Sequence, residues 1–272
     1  MGKSAEQFKC PRASALSEVN LTRKVDREVY ADVLDEKIRD AQRIQTAYFL
    51  QRHRAVIVFE GWDAAGKGGA IRRLTARMDP RGYNVFPIAA PTEEERTKHH
   101  LYRFWNKVPG PGELHIFDRS WYGRVLVERV EGFASKVAWQ RGFDELNQFE
   151  KQLHDDGVRV IKVFLHISRH EQKKRFEARL NDPMKQWKIT AEDFRNREKW
   201  SLYEEAISEM LQRTSTDYAP WQVISGEDKK TARLDILTYV LDQLGEGVNL
   251  DFPKLNKVLL EEARSLGFEL SE

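Results

Sequence analysis

A glycine-rich loop between a strand-like and a helix-like segment constrains this chain more than any other feature. Residues 55–60 read AVIVFE, a short apolar run rich in β-branched residues, and GWDAAGK follows at 61–67. A helical pattern then runs from Lys67 to about Met78. The loop fits the pattern G-x-x-x-x-G-K, in which backbone N–H groups surround a phosphate and the lysine reaches an outer phosphate. This order predicts an α/β domain that binds a phosphorylated ligand at a helix N-terminus.

The alternation of strands and helices continues along the chain. Strands are predicted at 83–88, 114–117, 158–166 and 222–225, and helices at 24–52, 92–106, 138–156, from 168 onward, 231–244 and around 255–266. Strands separated by helices of this length favour a parallel sheet with helices on both faces. We therefore expect an α/β, P-loop kinase-like three-layer fold. Residues 1–20 are expected to form a flexible tail and residues 21–272 a single domain, with a helical lid at about 168–200.

Composition and charge exclude several classes of protein. The chain has 272 residues, a net charge of +2 and one cysteine, Cys10. Because the net charge is low, anion binding must come from local clusters of basic residues. A single cysteine excludes an intramolecular disulfide and a cysteine-rich zinc site, which fits a reducing cytosol. No apolar segment has the length of a signal sequence or a membrane span, so we expect a cytoplasmic protein without membrane association.

The residue after the loop lysine departs from the usual motif. Gly68 stands where a serine or threonine hydroxyl ordinarily binds Mg2+. Asp63 lies within the loop, and Asp118 follows the apolar run 114–117 as in a Walker-B strand. Both carboxylates fall at the carboxyl ends of strands, where sheets of this kind bind ligands. They predict a Mg2+ site, with Mn2+ as a substitute. The alternatives are a turn-stabilising role for Asp63 and a surface ion pair for Asp118.

Basic residues gather near these carboxylates and after the fourth strand. Arg119 and Arg124 follow Asp118, and seven lysines or arginines lie between residues 169 and 188. A basic helical hairpin in this position is the place for a lid that excludes water, although a solvated charged face is the alternative. Trp121 and Tyr122 could stack on a nucleobase, but core packing is favoured. The phosphate-binding candidates are Gly61, Ala64, Ala65, Gly66, Gly68, Gly69, Arg73, Arg81, Arg124, Lys174 and Arg175.

These segments together resemble polyphosphate kinase family 2. The match extends over about residues 24–244, and its loop, GWDxxGKGG, is far more specific than a bare P-loop. It also accounts for Gly68, because the family has glycine there. The residues that carry the resemblance are EGWDAAGKGG at 60–69, DPRG at 79–82, FDRSWYGR at 117–124, VERVEGF at 127–133, Glu171-Gln172, Arg175, Arg179, WKIT at 187–190, Asn196-Arg197, Lys199-Trp200 and APW at 219–221.

The resemblance implies Mg2+-dependent phosphoryl transfer between inorganic polyphosphate and a nucleotide, by a homo-oligomer that is a dimer or a tetramer. It implies that Asp63 and Asp118 organise the metal and the acceptor phosphate. It also implies that Lys67, Arg119 and Arg179 stabilise the transferred group. Among the branches of the family, these segments look most like the branch that phosphorylates AMP. Members of that branch often carry two fused domains. The acceptor, whether AMP, ADP or a guanine counterpart, stays open.

Two other functions also stay open from the sequence. An ATP-dependent nucleotide or nucleoside kinase would use the same loop with ATP as its donor. A non-catalytic module that binds polyphosphate or RNA would use only the basic faces, and its binding would be sensitive to salt without turnover. That second alternative leaves Asp63 and Asp118 without a role. We expect no specific nucleic-acid partner.

Overall fold

A five-stranded parallel sheet forms the centre of the computed structural model, which describes residues 8–269. The strands are β1 (Arg54–Gly61), β2 (Tyr83–Pro87), β3 (Leu114–Asp118), β4 (Val158–His166) and β5 (Trp221–Ser225). Their order is β2–β3–β1–β4–β5, and every neighbouring pair is parallel. The central strand β1 is buried from residue 55 to residue 60. The predicted parallel sheet is confirmed.

Helices cover both faces of this sheet and complete three layers. They are α1 (Arg27–Gln51), α2 (Lys67–Leu74), α3 (Glu93–Arg96), α4 (Tyr102–Trp105), α5 (Val127–Val130), α6 (Lys136–Asp155), α7 (Arg169–Leu180), α8 (Ala191–Glu198), α9 (Trp200–Thr214), α10 (Lys229–Gly245) and α11 (Lys257–Ser265). Helices α1, α2 and α10 pack together in one layer, and α5, α6 and α9 pack together in another. Helices α7 and α8 follow β4 as the predicted hairpin. The α/β, P-loop kinase-like fold is confirmed.

The prediction of one continuous helix at 92–106 was wrong. Helix α3 begins as expected, because Thr92 and Glu95 form a reciprocal capping box. The chain then leaves the helix, and α4 is a separate single turn. The Thr97 hydroxyl donates to the Glu94 carbonyl (2.8 Å), and His99 Nδ1 accepts the N–H of Leu101 (3.3 Å). Such local side-chain hydrogen bonds compete with the helical ladder.

Residues 8–19, here called the N-terminal strap, lie against the outer edge of β5. The Val223 N–H donates to the Ala13 carbonyl (2.8 Å), and the Gln222 side chain donates to the Pro11 carbonyl (2.8 Å). Ala13 is buried. An uncovered edge strand exposes unpaired backbone groups, and the strap satisfies one of them. These residues are therefore packed into the domain, in contrast to the expected flexible tail; residues 1–7 lie outside the described range.

A buried ion pair anchors the turn that follows β3. Lys162 Nζ on β4 lies 2.7 Å from Glu150 Oε2 on α6, and both side chains are inaccessible to solvent. The Tyr122 hydroxyl donates to Glu150 Oε1 (2.7 Å) and accepts from Lys162, while Trp121 Nε1 donates to the same carboxylate (2.9 Å). Trp121 and Tyr122 are therefore core residues, as favoured, and do not offer a stacking surface to a nucleobase.

Helix α11 forms in the region where a last helix is predicted. Its apolar residues Val258 and Leu259 are largely exposed, so the helix does not join the core. Among residues 8–269, no helix combines the length and the apolar character needed to cross a bilayer.

Candidate active site

The phosphate loop lies at the carboxyl end of β1 and leads into α2. Gly61 has a φ of +146°, and a Cβ atom there would lie 2.5 Å from the Leu165 carbonyl oxygen, so no larger residue fits. Gly66 is the N-cap of α2 with a φ of +117°. Ala64 also has a positive φ (+62°) although it is not glycine, which places backbone strain within the loop. The free N–H groups at the start of α2 favour an anion.

Two buried charged residues lie beneath the loop. Lys67 Nζ donates to the Gly61 carbonyl (2.9 Å) and lies 3.4 Å from the Trp62 carbonyl. Glu60 accepts a hydrogen bond from the Ser120 hydroxyl (2.8 Å). Burial raises the pKa of Glu60, and the charge of Lys67 and the Ser120 hydrogen bond only partly oppose this rise. Glu60 is absent from the predicted site residues, although it is the charged residue that ends an otherwise apolar strand.

Asp63 projects from the loop with both carboxylate oxygens engaged. Arg119 Nη2 lies 2.8 Å from Oδ1, and Asn196 Nδ2 donates to Oδ2 at 2.9 Å. Burial alone would raise the pKa of Asp63, but the charges of Arg119 and Lys67 and the Asn196 hydrogen bond hold it below its ordinary value. Asp63 is therefore an ionised carboxylate at neutral pH.

Asp118 ends β3, next to the end of β1. Its Oδ2 lies 3.8 Å from the position that a Cβ on Gly68 would take. Within residues 8–269, no side chain or backbone group donates a hydrogen bond to the Asp118 carboxylate. Gly68, which has no side chain, therefore leaves space beside the Asp118 carboxylate, and none of residues 8–269 donates a hydrogen bond to that carboxylate. Oxygen donors of this kind fit Mg2+.

Arg119 connects the loop with α8. Its backbone has a positive φ (+65°), and its N–H donates to the Phe59 carbonyl (3.0 Å). Its Nη1 lies 3.7 Å from Glu192 Oε1 on α8, in addition to the bond with Asp63. A non-glycine residue in this conformation is strained, and such strain concentrates at functional sites. The structure thus brings Asp63, Lys67, Asp118 and Arg119 to one edge of the sheet, as the sequence predicts.

The structure corrects the prediction that Arg175 binds phosphate. The residue lies on α7 behind the loop, and its side chain is only 5% exposed. A guanidinium group has five N–H donors, and protein acceptors surround all of them, so none is left for a phosphate. These acceptors are Glu171 Oε1 and the carbonyl oxygens of Ala64, Ala65, Gly226 and Glu227.

Other predicted basic residues are engaged away from the loop. Arg179 Nη1 donates to the Lys188 carbonyl (3.0 Å) within the segment that joins α7 to α8, and Lys174 lies exposed, 3.4 Å from Glu171. Arg81 pairs with Asp79 at 2.7 Å on the surface. The structure does not bring these three side chains to the phosphate loop.

Two further candidates lie closer to the predicted site. Arg124 pairs with Glu128 (2.8 Å), on the 3₁₀ turn after Asp118. Arg73 donates to the Gly69 carbonyl (3.3 Å) within its own helix. Their contacts are with protein groups of the same or the next turn.

Sequence reasoning missed the contribution of α8 and α9. Trp200 stacks on Trp62 with ring centroids 3.7 Å apart, and Trp62 Nε1 donates to His166 Nδ1 (3.0 Å). Asn196 and Tyr203 reach toward Asp63 from the same side. Asp63, Asn196 and Tyr203 line a cavity of about 80 Å³ together with Glu60, Arg119 and Glu192. Asn196 and Trp200 lie within the segments that carry the resemblance, but nothing in their sequence pattern assigns them a role.

Comparison with known proteins agrees with this geometry. The family model described as Polyphosphate kinase 2 (PPK2) matches residues 24–249. The chain belongs to the polyphosphate kinase 2 family. The predicted resemblance is therefore confirmed.

Similar proteins include members with different acceptors in their names. The polyphosphate:AMP phosphotransferase of Pseudomonas aeruginosa is 48% identical over 230 residues, which cover 84% of this PPK2 chain and 46% of the relative. ADP-polyphosphate phosphotransferase 3 of Rhizobium meliloti is 39% identical, with 90% and 86% covered. The crystal structure of polyphosphate kinase 2 from Arthrobacter aurescens TC1 superposes with a TM-score of 0.87 at 30% identity and covers 98% of both chains. The chain spans about half the length of the polyphosphate:AMP phosphotransferases it matches.

Proposed function

We propose that this chain transfers phosphoryl groups, in the presence of Mg2+, between inorganic polyphosphate and a nucleoside mono- or diphosphate. The transfer converts AMP into ADP or ADP into ATP. The observation that carries the proposal is the PPK2 loop itself. Its anion-binding N–H groups and Lys67 lie at the same sheet edge as Asp63, Asp118 and Arg119. Relatives named polyphosphate:AMP and ADP-polyphosphate phosphotransferase support both acceptors.

The proposed reaction is an in-line displacement at phosphorus. A terminal phosphate oxygen of the acceptor attacks the last phosphorus of polyphosphate, a new P–O bond forms, and the bond to the next phosphate breaks. The shortened polyphosphate leaves with the bonding electron pair. The transition state of such transfers is loose and highly anionic, so the protein contributes mainly positioning and charge neutralisation.

Each residue at the sheet edge has a defined part in this proposal. The loop N–H groups and Lys67 hold phosphate oxygens, and the Arg119 guanidinium lies beside the transferred group. Asp63 and Asp118 would hold Mg2+. When bound, that ion neutralises charge on the phosphate oxygens. The Asp118 carboxylate, which accepts no hydrogen bond from any residue between 8 and 269, is the better prepared of the two ligands.

The polyphosphate chain is proposed to extend from the loop along basic side chains. Lys174 and Arg179 on the lid, Arg73 on α2, Arg81 and Arg124 are the candidates. Closure of the lid would exclude water from the transferred group. We further propose a cytoplasmic homo-oligomer, a dimer or a tetramer.

The acceptor is identified by a direct assay. The protein is incubated with polyphosphate, Mg2+ and each of AMP, ADP, GMP and GDP, and the nucleotides are resolved by chromatography. We expect products that carry one more phosphate than the acceptor. A parallel incubation offers ATP as the donor in place of polyphosphate, and turnover with ATP alone would contradict the proposal.

The metal assignment is tested with Asp118→Asn. We expect turnover to fall by at least about 100-fold, because the amide cannot supply the charge of the carboxylate. Asp155→Asn, on the exposed end of α6, serves as the matched control and should turn over normally. Near-normal turnover by a natively folded Asp118→Asn protein would remove Asp118 from the site.

A further inference from the structure

We infer that Asn196 is a positioning residue for Asp63, so that the second helix of the lid forms part of the metal site. This inference rests on the proposed function, in which Asp63 is a metal ligand. It adds a residue that lies 133 positions further along the chain. Three features of the structure support it: the partners of Asp63, the orientation of the Asn196 amide, and the packing that holds α8.

Both oxygens of the Asp63 carboxylate accept a hydrogen bond. Arg119 bonds to Oδ1 and Asn196 to Oδ2, at 2.8 and 2.9 Å, and the side chain of Asp63 is only 12% exposed. Arg119 supplies charge, whereas the Asn196 amide supplies a directional hydrogen bond without net charge. Removing Asn196 would therefore leave the charge balance intact but allow the carboxylate to rotate.

Tyr203 and Asp63 together fix which way the amide faces. The Tyr203 hydroxyl donates to Asn196 Oδ1 at 3.0 Å. Burial raises the pKa of Tyr203 well above its ordinary value, so the hydroxyl keeps its proton. A reversed amide would set its oxygen about as close to the Asp63 carboxylate as Nδ2 now lies, and two acceptors would repel each other. Asn196 Nδ2 must therefore face Asp63.

The start of α9 holds Asn196 in place. Trp200 stacks on Trp62, the neighbour of Asp63 in the loop, with an angle of 1° between the rings. Lys199 Nζ lies 2.7 Å from Glu131 Oε2, next to the Tyr203 hydroxyl. The α8–α9 junction is thus fixed to the loop through Trp62 and to the end of α5 through Glu131. Carboxylates that bind metals are themselves oriented by outer hydrogen bonds, and losing such a partner typically costs 10–100-fold in metal affinity.

The test measures metal binding directly, apart from turnover. Mn2+ is titrated into the protein, and the free ion is followed by electron paramagnetic resonance. We expect the dissociation constant to rise about 10–100-fold in Asn196→Ala and by less in Tyr203→Phe, which removes one oxygen atom. Glu198→Gln, exposed on the same helix, should bind Mn2+ as the wild type does. In the polyphosphate assay, Asn196→Ala should need more Mg2+ for half-maximal rate and regain most of its kcat at high Mg2+.

Asp63→Asn separates failure of this inference from failure of the proposed function. If Asp63→Asn loses Mn2+ while a folded Asn196→Ala binds it normally, the inference is overturned and the metal assignment stands. If neither variant changes Mn2+ binding, Asp63 is not a ligand and the inference is overturned with that assignment. If Asn196→Ala binds Mn2+ more weakly but the wild type shows no polyphosphate-dependent turnover, the inference is supported and the proposed function is contradicted. If Asn196→Ala does not fold, Tyr203→Phe decides by the same criteria.

Discussion

At the residue scale, Arg175 on α7 stabilises the phosphate loop by hydrogen bonds to its backbone. The carbonyl oxygens of Ala64 and Ala65 point toward α7 and need donors of their own. Arg175 supplies these donors and also bonds to the Gly226 carbonyl after β5. One side chain therefore ties α7, the loop and the end of β5 together.

We predict that Arg175→Lys destabilises the protein. A lysine ammonium has three donors and cannot span the four carbonyls and Glu171, so buried acceptors would remain unpaired. Each such group costs about 1–3 kcal/mol, and we expect the free energy of unfolding to fall by about 3 kcal/mol. Urea denaturation measures this loss, with Lys173→Ala, exposed on the same helix, as the control. A variant as stable as the wild type would show that these hydrogen bonds are dispensable.

The sequence predicts site residues where short-range pattern determines position. Lys67 and Asp118 could be predicted because a loop or an acidic residue directly after a buried strand must lie at the edge of the sheet. Asn196 could not, because its contact with Asp63 depends on how the lid hairpin packs. Arg175 was misjudged for a related reason: its spacing indicates a basic lid helix, but spacing does not reveal that the side chain points inward.

At the element scale, the edge strand β5 depends on a segment distant in sequence. The strap crosses its outer side, with Ala13 and Pro11 as acceptors and Leu16 and Val19 packed against the core. Without the strap, β5 would present an open edge to other chains. The contact also joins residues at the start of the chain to the last strand of the sheet.

We predict that removing residues 1–15 promotes self-association. The truncated protein should lose about 1–2 kcal/mol of unfolding free energy from the two missing hydrogen bonds. Its exposed β5 edge should also increase aggregation, which sedimentation velocity detects. Removal of residues 1–7 alone is the control, and the difference between the two truncations gives the contribution of residues 8–15. A fully monodisperse protein of normal stability after the longer truncation would contradict the role of the strap.

Strands were more predictable than helices in this chain. The five strands fall within one or two residues of their predicted bounds. Strands β1, β3, β4 and β5 are almost wholly buried, and strands of this kind form short apolar runs whose ends are marked by polar residues or glycine. The helix predicted at 92–106 satisfies the capping rules at Thr92 but breaks at Thr97, where side chains satisfy the backbone instead. Local propensity could not show whether the backbone there would form helical hydrogen bonds or bond to side chains.

At the scale of the whole molecule, one buried carboxyl group links pH to stability. Asp235 on α10 pairs with Arg23, but its Oδ1 is buried without a hydrogen-bond partner. Burial raises the pKa of Asp235 to about 6, and the charge of Arg23 only partly opposes the rise. Between about pH 4 and pH 6 the folded chain keeps a proton that the unfolded chain releases. The contribution of Asp235 to stability is therefore full below pH 4 and is lost as the pH rises through 6.

We predict that Asp235→Asn removes this pH dependence. A shift of about two pKa units corresponds to about 3 kcal/mol, so the unfolding free energy of the variant, relative to the wild type, should increase by about that amount between pH 4 and pH 7. Urea denaturation of both proteins at each pH measures the difference. Carboxyl groups with lowered pKa, such as Glu145, change stability in the opposite direction but cancel in the comparison. Parallel curves between pH 4 and pH 7 would mean that Arg23 keeps Asp235 ionised in the folded chain, because only a raised pKa makes the difference change over this range.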